Sequence, residues 1–414
     1  MNHDFPAEHD SQPIEAMIAV IADLVSQNLP GIRCLILCGS FGRDEGSTIL
    51  INGVEKPFKD FDFFAVIRNS AVTSAIGIRD TIIRDAYEII GTEPYSEEEP
   101  SPGRFRITLE IIPEGTLAHL PNDISNAELK LASRVVWGED VRKIIPIDIG
   151  SIPAVSGLRA VLNKFIGMME QWGPWIEQEQ EIPSTMAFTI RYHAAKIILD
   201  TAAAILLQLH QWVPGYKARL EVIREIERHR PLHPVLGSFS DKVVKALEIK
   251  RHPDMSLTTS PRTIWKQAAQ DLLVYADVLS ADIFDYSPGG EPDGYKRYYR
   301  NAKRGFFFPY AESWFKSRGI NPTPTMTNGL VLLYSFFANL RTGRVSTVHP
   351  MIRVYAAAWL WIEFHDHSSI PRDIGQWLTT HTGIDTADRS DMRMRIISLY
   401  KSMARGKRHK RSLR

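Results

Sequence analysis

The chain has 414 residues, more than a single hydrophobic core usually organises, so two or three domains are expected. Lys and Arg total 49 against 48 Asp and Glu, and this net charge of +1 removes the general electrostatic argument for a long nucleic acid as partner. The only cysteines, Cys34 and Cys38, lie four apart in one apolar run. A strand rising about 3.3 Å per residue holds two such positions too far apart for a disulfide, so they read as core thiols in a reducing, cytoplasmic compartment.

Met1 to Gln12 is polar and lacks the basic-then-apolar order of a signal peptide, so export is not expected. Ile14, Met17, Ile18, Ile21 and Val25 recur at helical spacing and predict a helix over 13–29. Buried strands are expected at Ile32–Cys38 and Phe61–Ile67, and a third, alternating polar with apolar, at Arg106–Ile111. Helices over 72–90 and 127–137 complete an α/β unit. After a boundary at Ile147–Pro153 strand signals become scarce. Helices are predicted over 158–172, 186–209, 219–229 and 262–279. The breaker run Ser287–Gly294 precedes further helices over 295–307, 328–340, 351–365 and 392–403. The longest apolar stretches fall short of the roughly 20 residues of a membrane span. Residues 405–414 form a basic tail, expected to be disordered and available to an anionic partner.

The chemistry concentrates in two places. Gly39-Ser40-Phe41-Gly42-Arg43 closes the first strand, and Asp60-Phe61-Asp62 opens the second. Carboxylates one residue apart on a strand project from the same face, and a Gly-Ser turn at a strand end can offer N–H groups to phosphate. Asp60 and Asp62 supply the hard oxygens that Mg²⁺ or Mn²⁺ shares with substrate phosphates and water. Two ions about 3.5 to 4 Å apart would serve attacking and leaving oxygens. Glu110, on the polar face of the third strand, is the candidate third ligand and aid to deprotonating an acceptor hydroxyl. Gly39, Ser40 and Arg43 are candidate triphosphate contacts.

The runs Leu-Ile-Leu-Cys-Gly-Ser-Phe-Gly-Arg and Lys-Asp-Phe-Asp-Phe-Phe-Ala-Val-Ile resemble the DNA polymerase β-like nucleotidyltransferase superfamily over the first third of the chain. The resemblance implies an α/β nucleotidyltransferase domain, a mixed β-sheet with flanking helices, here followed by a large all-α region. It places that superfamily's turn, acid pair and later strand acid on Gly39, Ser40, Asp60, Asp62 and Glu110. The segment Asn126–Asp140 looks like the helix and apolar-Gly turn that often close the domain. The 19-residue spacer between Ser40 and Asp60 is long and contains Asn52-Gly53, a hairpin signal, so an inserted hairpin is expected. Asp44-Glu45 would oppose phosphate binding unless turned away, which keeps a catalytically inactive binding protein as the alternative.

In the helical region Thr189, His193, Lys196 and Asp200 share one helix arc. Members of the superfamily often bring a lysine from the following helical domain to the triphosphate. Lys196 is the candidate, oriented by Asp200. Arg224/His229 and Arg228/His233 carry a spacing also found in helical ribonucleases, a weak signal on a solvated face. Aromatics and cations interleave from Tyr295 to Tyr310, either as a stacking strip or as an amphipathic helix with its rings in the core. Glu363, His365 and His367 are metal-ligand types without a closing fourth ligand.

The expected organisation is a disordered 1–12, 13–150 nucleotidyltransferase, 151–285 helical, 295–404 a second helical subdomain and 405–414 the basic tail. The expected reaction is transfer of an NMP from an NTP to an acceptor hydroxyl, on a small molecule or a protein, with release of pyrophosphate. A cyclic-nucleotide synthase is a lesser alternative.

Overall fold

The computed structural model describes residues 14–95, 103–177, 180–233, 236–254, 259–286, 294–316, 320–340, 348–365, 370–384 and 388–411. The N-terminal twelve residues, the breaker run before Gly294 and His367 lie outside them.

Helix α1 (Ile14–Asn28) leads into β1 (Ile32–Cys38), which ends in a single helical turn, α2 (Gly39–Gly42). A hairpin of β2 (Thr48–Ile51) and β3 (Val54–Pro57) comes next, then β4 (Lys59–Ile67), α3 (Val72–Ile90), β5 (Phe105–Pro113), α4 (Ile124–Leu131) and β6 (Arg134–Gly138). The four longer-range strands form a mixed sheet in the order β5-β4-β1-β6. β4 and β5 are parallel; β1 runs antiparallel to both β4 and β6. The parallel pair is connected through α3, as a crossover requires.

The alternation of β4 and β5 divides the sheet. Phe61, Phe63, Ala65, Phe105, Ile107 and Leu109 join Leu35 and Leu37 in a core under α1 and α3. On the other face Cys34, Ile36 and Cys38 pack with Val66, Leu129 and Val141. β1 is thus buried on both sides, and both thiols are free and buried.

Residues 127–137 do not form one helix. α4 stops at Leu131, and Val135, Val136 and Trp137 become strand β6, because the open edge of β1 pairs with a β-branched and aromatic run. The spacer folds as expected from its Asn-Gly. Asn52 and Gly53 have φ of 51° and 80°, the two left-handed residues of a tight hairpin turn.

From residue 154 the described chain is helical: α5 (Ala154–Glu170), α6 (Pro174–Glu177), α7 (Ser184–Gln208), α8 (Tyr216–His229), α9 (Phe239–Arg251), α10 (Pro261–Phe284), α11 (Gly294–Gly305), α12 (Phe308–Lys316), α13 (Pro324–Leu340), α14 (Pro350–Glu363), α15 (Arg372–Thr382) and α16 (Arg389–Arg411). A single apolar cluster runs from α5 through α16, with Trp265, Trp359 and Trp361 nearly inaccessible at its centre. Residues on both sides of the breaker run contribute to it. Tyr295, Tyr298 and Phe306 are buried in this cluster, so the aromatic-basic strip is an amphipathic helix with its rings inside. The basic tail differs from expectation: α16 continues to Arg411, since Lys and Arg are good helix formers and suit a helix C-terminus. No described helix is long and apolar enough to cross a membrane.

Candidate functional site

Where the sheet meets the helical region a cleft of about 240 Å³ opens, lined by Gly39, Ser40, Arg43, Lys59, Asp60 and Asp62 from the sheet side. α4 contributes Glu128, α7 contributes Tyr192, Lys196 and Asp200, α8 contributes Tyr216 and Arg219, and α9 contributes Lys250. The acid pair, the Gly-Ser turn and Lys196, separated by up to 157 positions in sequence, therefore share one cavity.

Register explains the first half. Cys38, the last residue of β1, is paired with Asp62, so the chain turns at Gly39 directly beside that carboxylate. Gly39 has φ of 63°, and a Cβ there would stand 2.8 Å from Asp62 Oδ2. Glycine is required both by the backbone and by the carboxylate pressed against it. Asp60 and Asp62 face the same way, opposite Arg106 and Thr108 of β5.

The two carboxylates are only partly compensated by the groups around them. Burial, then the charge of Asp60, pushes Asp62 up to about 6, against the opposing pull of Lys196 and a hydrogen bond from Thr108. Asp60 Oδ1 is buried without a hydrogen-bond partner and forms a long ion pair with Arg106 Nε at 3.8 Å. Hard oxygens in this condition fit a divalent cation. Among the described residues no group of three or more His, Cys, Asp or Glu side chains is gathered as a metal cage. Glu110 shares the polar face but pairs with Phe64, one pleat beyond Thr108, and stands outside the cleft lining. Its charge still acts on Asp62.

Arg43 lines the cleft but is already engaged. Its Nε donates to Glu45 Oε2 at 3.0 Å, one terminal nitrogen donates to Glu128 Oε2 at 2.9 Å, and its plane lies over Tyr216. Glu45 is turned away from the turn and buried. Its Oε1 accepts from the Tyr216 and Lys217 amides at 2.7 and 3.0 Å, satisfying the first N–H groups of α8. Lys250 donates to the Glu45 carbonyl, and Arg219 donates to Glu128. The charge of Glu45 is therefore absorbed by Arg43 and a helix N-terminus, while Asp44 is exposed at φ 56°.

On α7 the polar stripe has four different destinations. The Thr189 hydroxyl lies 3.3 Å from the Tyr95 hydroxyl. His193 is packed against Gly167, and burial lowers its pKa well below the usual range. Asp200 pairs with Lys164 of α5 at 2.6 Å, and so does not hold Lys196 as expected from their i, i+4 spacing. Lys196 makes no hydrogen bond or ion pair among the described residues. Its pKa is raised, first by the Tyr192 phenol, and it faces the cleft.

Elsewhere, Arg224 and Arg228 are tied to Glu221 and Glu225 on the exposed face of α8, and His229 to Glu225. His365 is buried against Trp172 and Trp265 with Nδ1 2.7 Å from the Ile362 carbonyl. Sequence reasoning missed Lys59, Glu128, Arg219 and Lys250. Lys59 adjoins the acid pair and was open to notice; the other three enter only because α4, α8 and α9 converge.

In comparisons with known proteins, no protein-family model matches the chain and no curated protein matches it.

Proposed function

We propose that the chain is a metal-dependent nucleotidyltransferase whose α/β half is of the polymerase β-like kind. The observation that carries this reading is the shared cleft: a carboxylate pair whose buried member is raised to about 6, a Gly-Ser turn packed against it, and a lysine opposite that rests over the Tyr192 ring and is held by no ion pair among the described residues. Asp60 and Asp62 would hold Mg²⁺ or Mn²⁺, with the remaining ligands drawn from NTP phosphates and water. When bound, the metal supplies charge neutralisation on the phosphates and activation of the attacking oxygen.

Gly39 and Ser40 receive the phosphates at the turn, and Lys196 neutralises the leaving end. The acceptor oxygen forms a bond to the α-phosphorus, the bond to the β-phosphate bridging oxygen breaks, and pyrophosphate departs. Glu110, further along the same face, keeps the assignment of drawing off the acceptor proton. Arg43 takes a different part from the one its sequence position suggests: paired with Glu45 and Glu128, it braces the turn. The acceptor is a small molecule or a protein side chain.

Incubation with each α-labelled NTP, Mg²⁺ or Mn²⁺ and a cell extract tests the reading. The expected result is label transfer by the wild type that is lost in Asp60→Ala and in Asp62→Ala; transfer that survives both substitutions contradicts it. The position of Glu110 outside the cleft favours a second reading, a catalytically silent nucleotide-binding protein. NTP binding with no pyrophosphate released across many acceptors would select that alternative.

A further inference from the structure

Lys59, immediately before the acid pair, is the most irregular residue of the cleft. Its φ is 75°, a left-handed conformation that a lysine inside a sheet has no local reason to adopt. Period-two alternation would aim residue 59 toward the face of Phe61 and Phe63. The left-handed backbone turns it to the cleft side, where it is 5% exposed. There its ammonium donates to the Tyr95 hydroxyl at 2.7 Å and lies 5.5, 4.3 and 5.8 Å from the ring centres of Phe58, Tyr95 and Tyr192. The cage is itself braced, since Phe58 meets Tyr95 and Tyr192 edge-on and the Tyr95 hydroxyl lies beside Thr189 of α7.

Resting on the metal-binding role assigned above to Asp60 and Asp62, we propose that Lys59 is a positioning residue: its caged ammonium locks the first residue of β4 in the left-handed backbone that sets the direction of Asp60. The anchor reaches from the strand to Tyr95 and α7, so it also fixes Asp60 relative to the helical wall of the cleft. Positioning and simple electrostatics predict opposite effects. Removing a cation beside a metal site tightens metal binding if charge alone matters. If Lys59 orients Asp60, removing it weakens binding.

The test is Mn²⁺ binding to the full chain without nucleotide, followed by the electron paramagnetic resonance of free Mn²⁺, for wild type, Asp60→Ala, Lys59→Met and Tyr95→Phe. Thermal melts in EDTA are recorded alongside. The expected result is binding by the wild type, its loss in Asp60→Ala, and about tenfold weaker binding in both Lys59→Met and Tyr95→Phe with melting points close to wild type. Wild-type or tighter affinity in Tyr95→Phe overturns the positioning role while leaving the metal site intact, and this variant decides the matter alone if Lys59→Met does not fold. Absence of Mn²⁺ binding in the wild type, or undiminished binding in Asp60→Ala, overturns the metal assignment and the positioning role with it.

Discussion

Asp62 is where folding and function oppose each other most directly. Its carboxyl is raised from the usual 3.8 to about 6 by burial and by Asp60. Between those values the folded state holds a proton that the unfolded chain has released, so stability falls as pH rises from about 4 to 6. Asp62→Asn removes that penalty. In EDTA it should stabilise the protein by on the order of 2 kcal/mol at pH 8, with the gain vanishing below about pH 4, as read from urea midpoints. Metal binding has the reverse dependence, because the proton competes with the cation, and should rise through about pH 6. Gly39 makes a complementary prediction. Gly39→Ala places a Cβ 2.8 Å from Asp62 Oδ2 in a left-handed backbone, so the turn or the carboxylate must shift. Label transfer should drop by about two orders of magnitude while urea unfolding reports a loss of only about 1–2 kcal/mol.

At the scale of elements, the key junction is Glu45 against α8. Glu45→Ala strips two amides of their acceptor and leaves Arg43 with only Glu128, all in a buried setting. It should cost about 3 kcal/mol by chemical denaturation, and Glu45→Gln, which keeps an acceptor, distinctly less. This junction explains why the acidic pair after Arg43 was misleading in the sequence: nothing local says that a helix N-terminus 171 residues away arrives to receive Glu45. The strands and hairpin were legible because apolar alternation and Asn-Gly turn chemistry are local signals. β6 was not, since Val135–Trp137 becomes a strand only through the open edge of β1. α9 is absent from the expected helices as well: Phe239, Val243 and Ala246 form its buried stripe, interspersed with Asp241, Lys242, Lys245 and Glu248, yet it brings Lys250 to the cleft.

Across the whole molecule, the helical region acts as the second wall of a site whose chemistry begins on the sheet. Asp60, Asp62 and the Gly-Ser turn were readable because register and strand alternation put them together. Lys196 was readable from its stripe, but its surroundings were not, because Asp200 pairs with Lys164 from another helix and the Lys196 ammonium lies over the Tyr192 ring. With no ion pair to lose among the described residues, Lys196→Met should leave the fold intact and weaken NTP binding about tenfold or more, measured by equilibrium titration with a non-hydrolysable analogue. Counting pyrophosphate released against α-labelled product formed, for wild type, Asp60→Ala and Asp62→Ala, tests nucleotidyl transfer itself. A nucleotidyltransferase gives equal amounts from the wild type and neither from the two variants. Transfer without pyrophosphate, or equal yields from all three proteins, would rule out a metal-dependent nucleotidyltransferase built on Asp60 and Asp62.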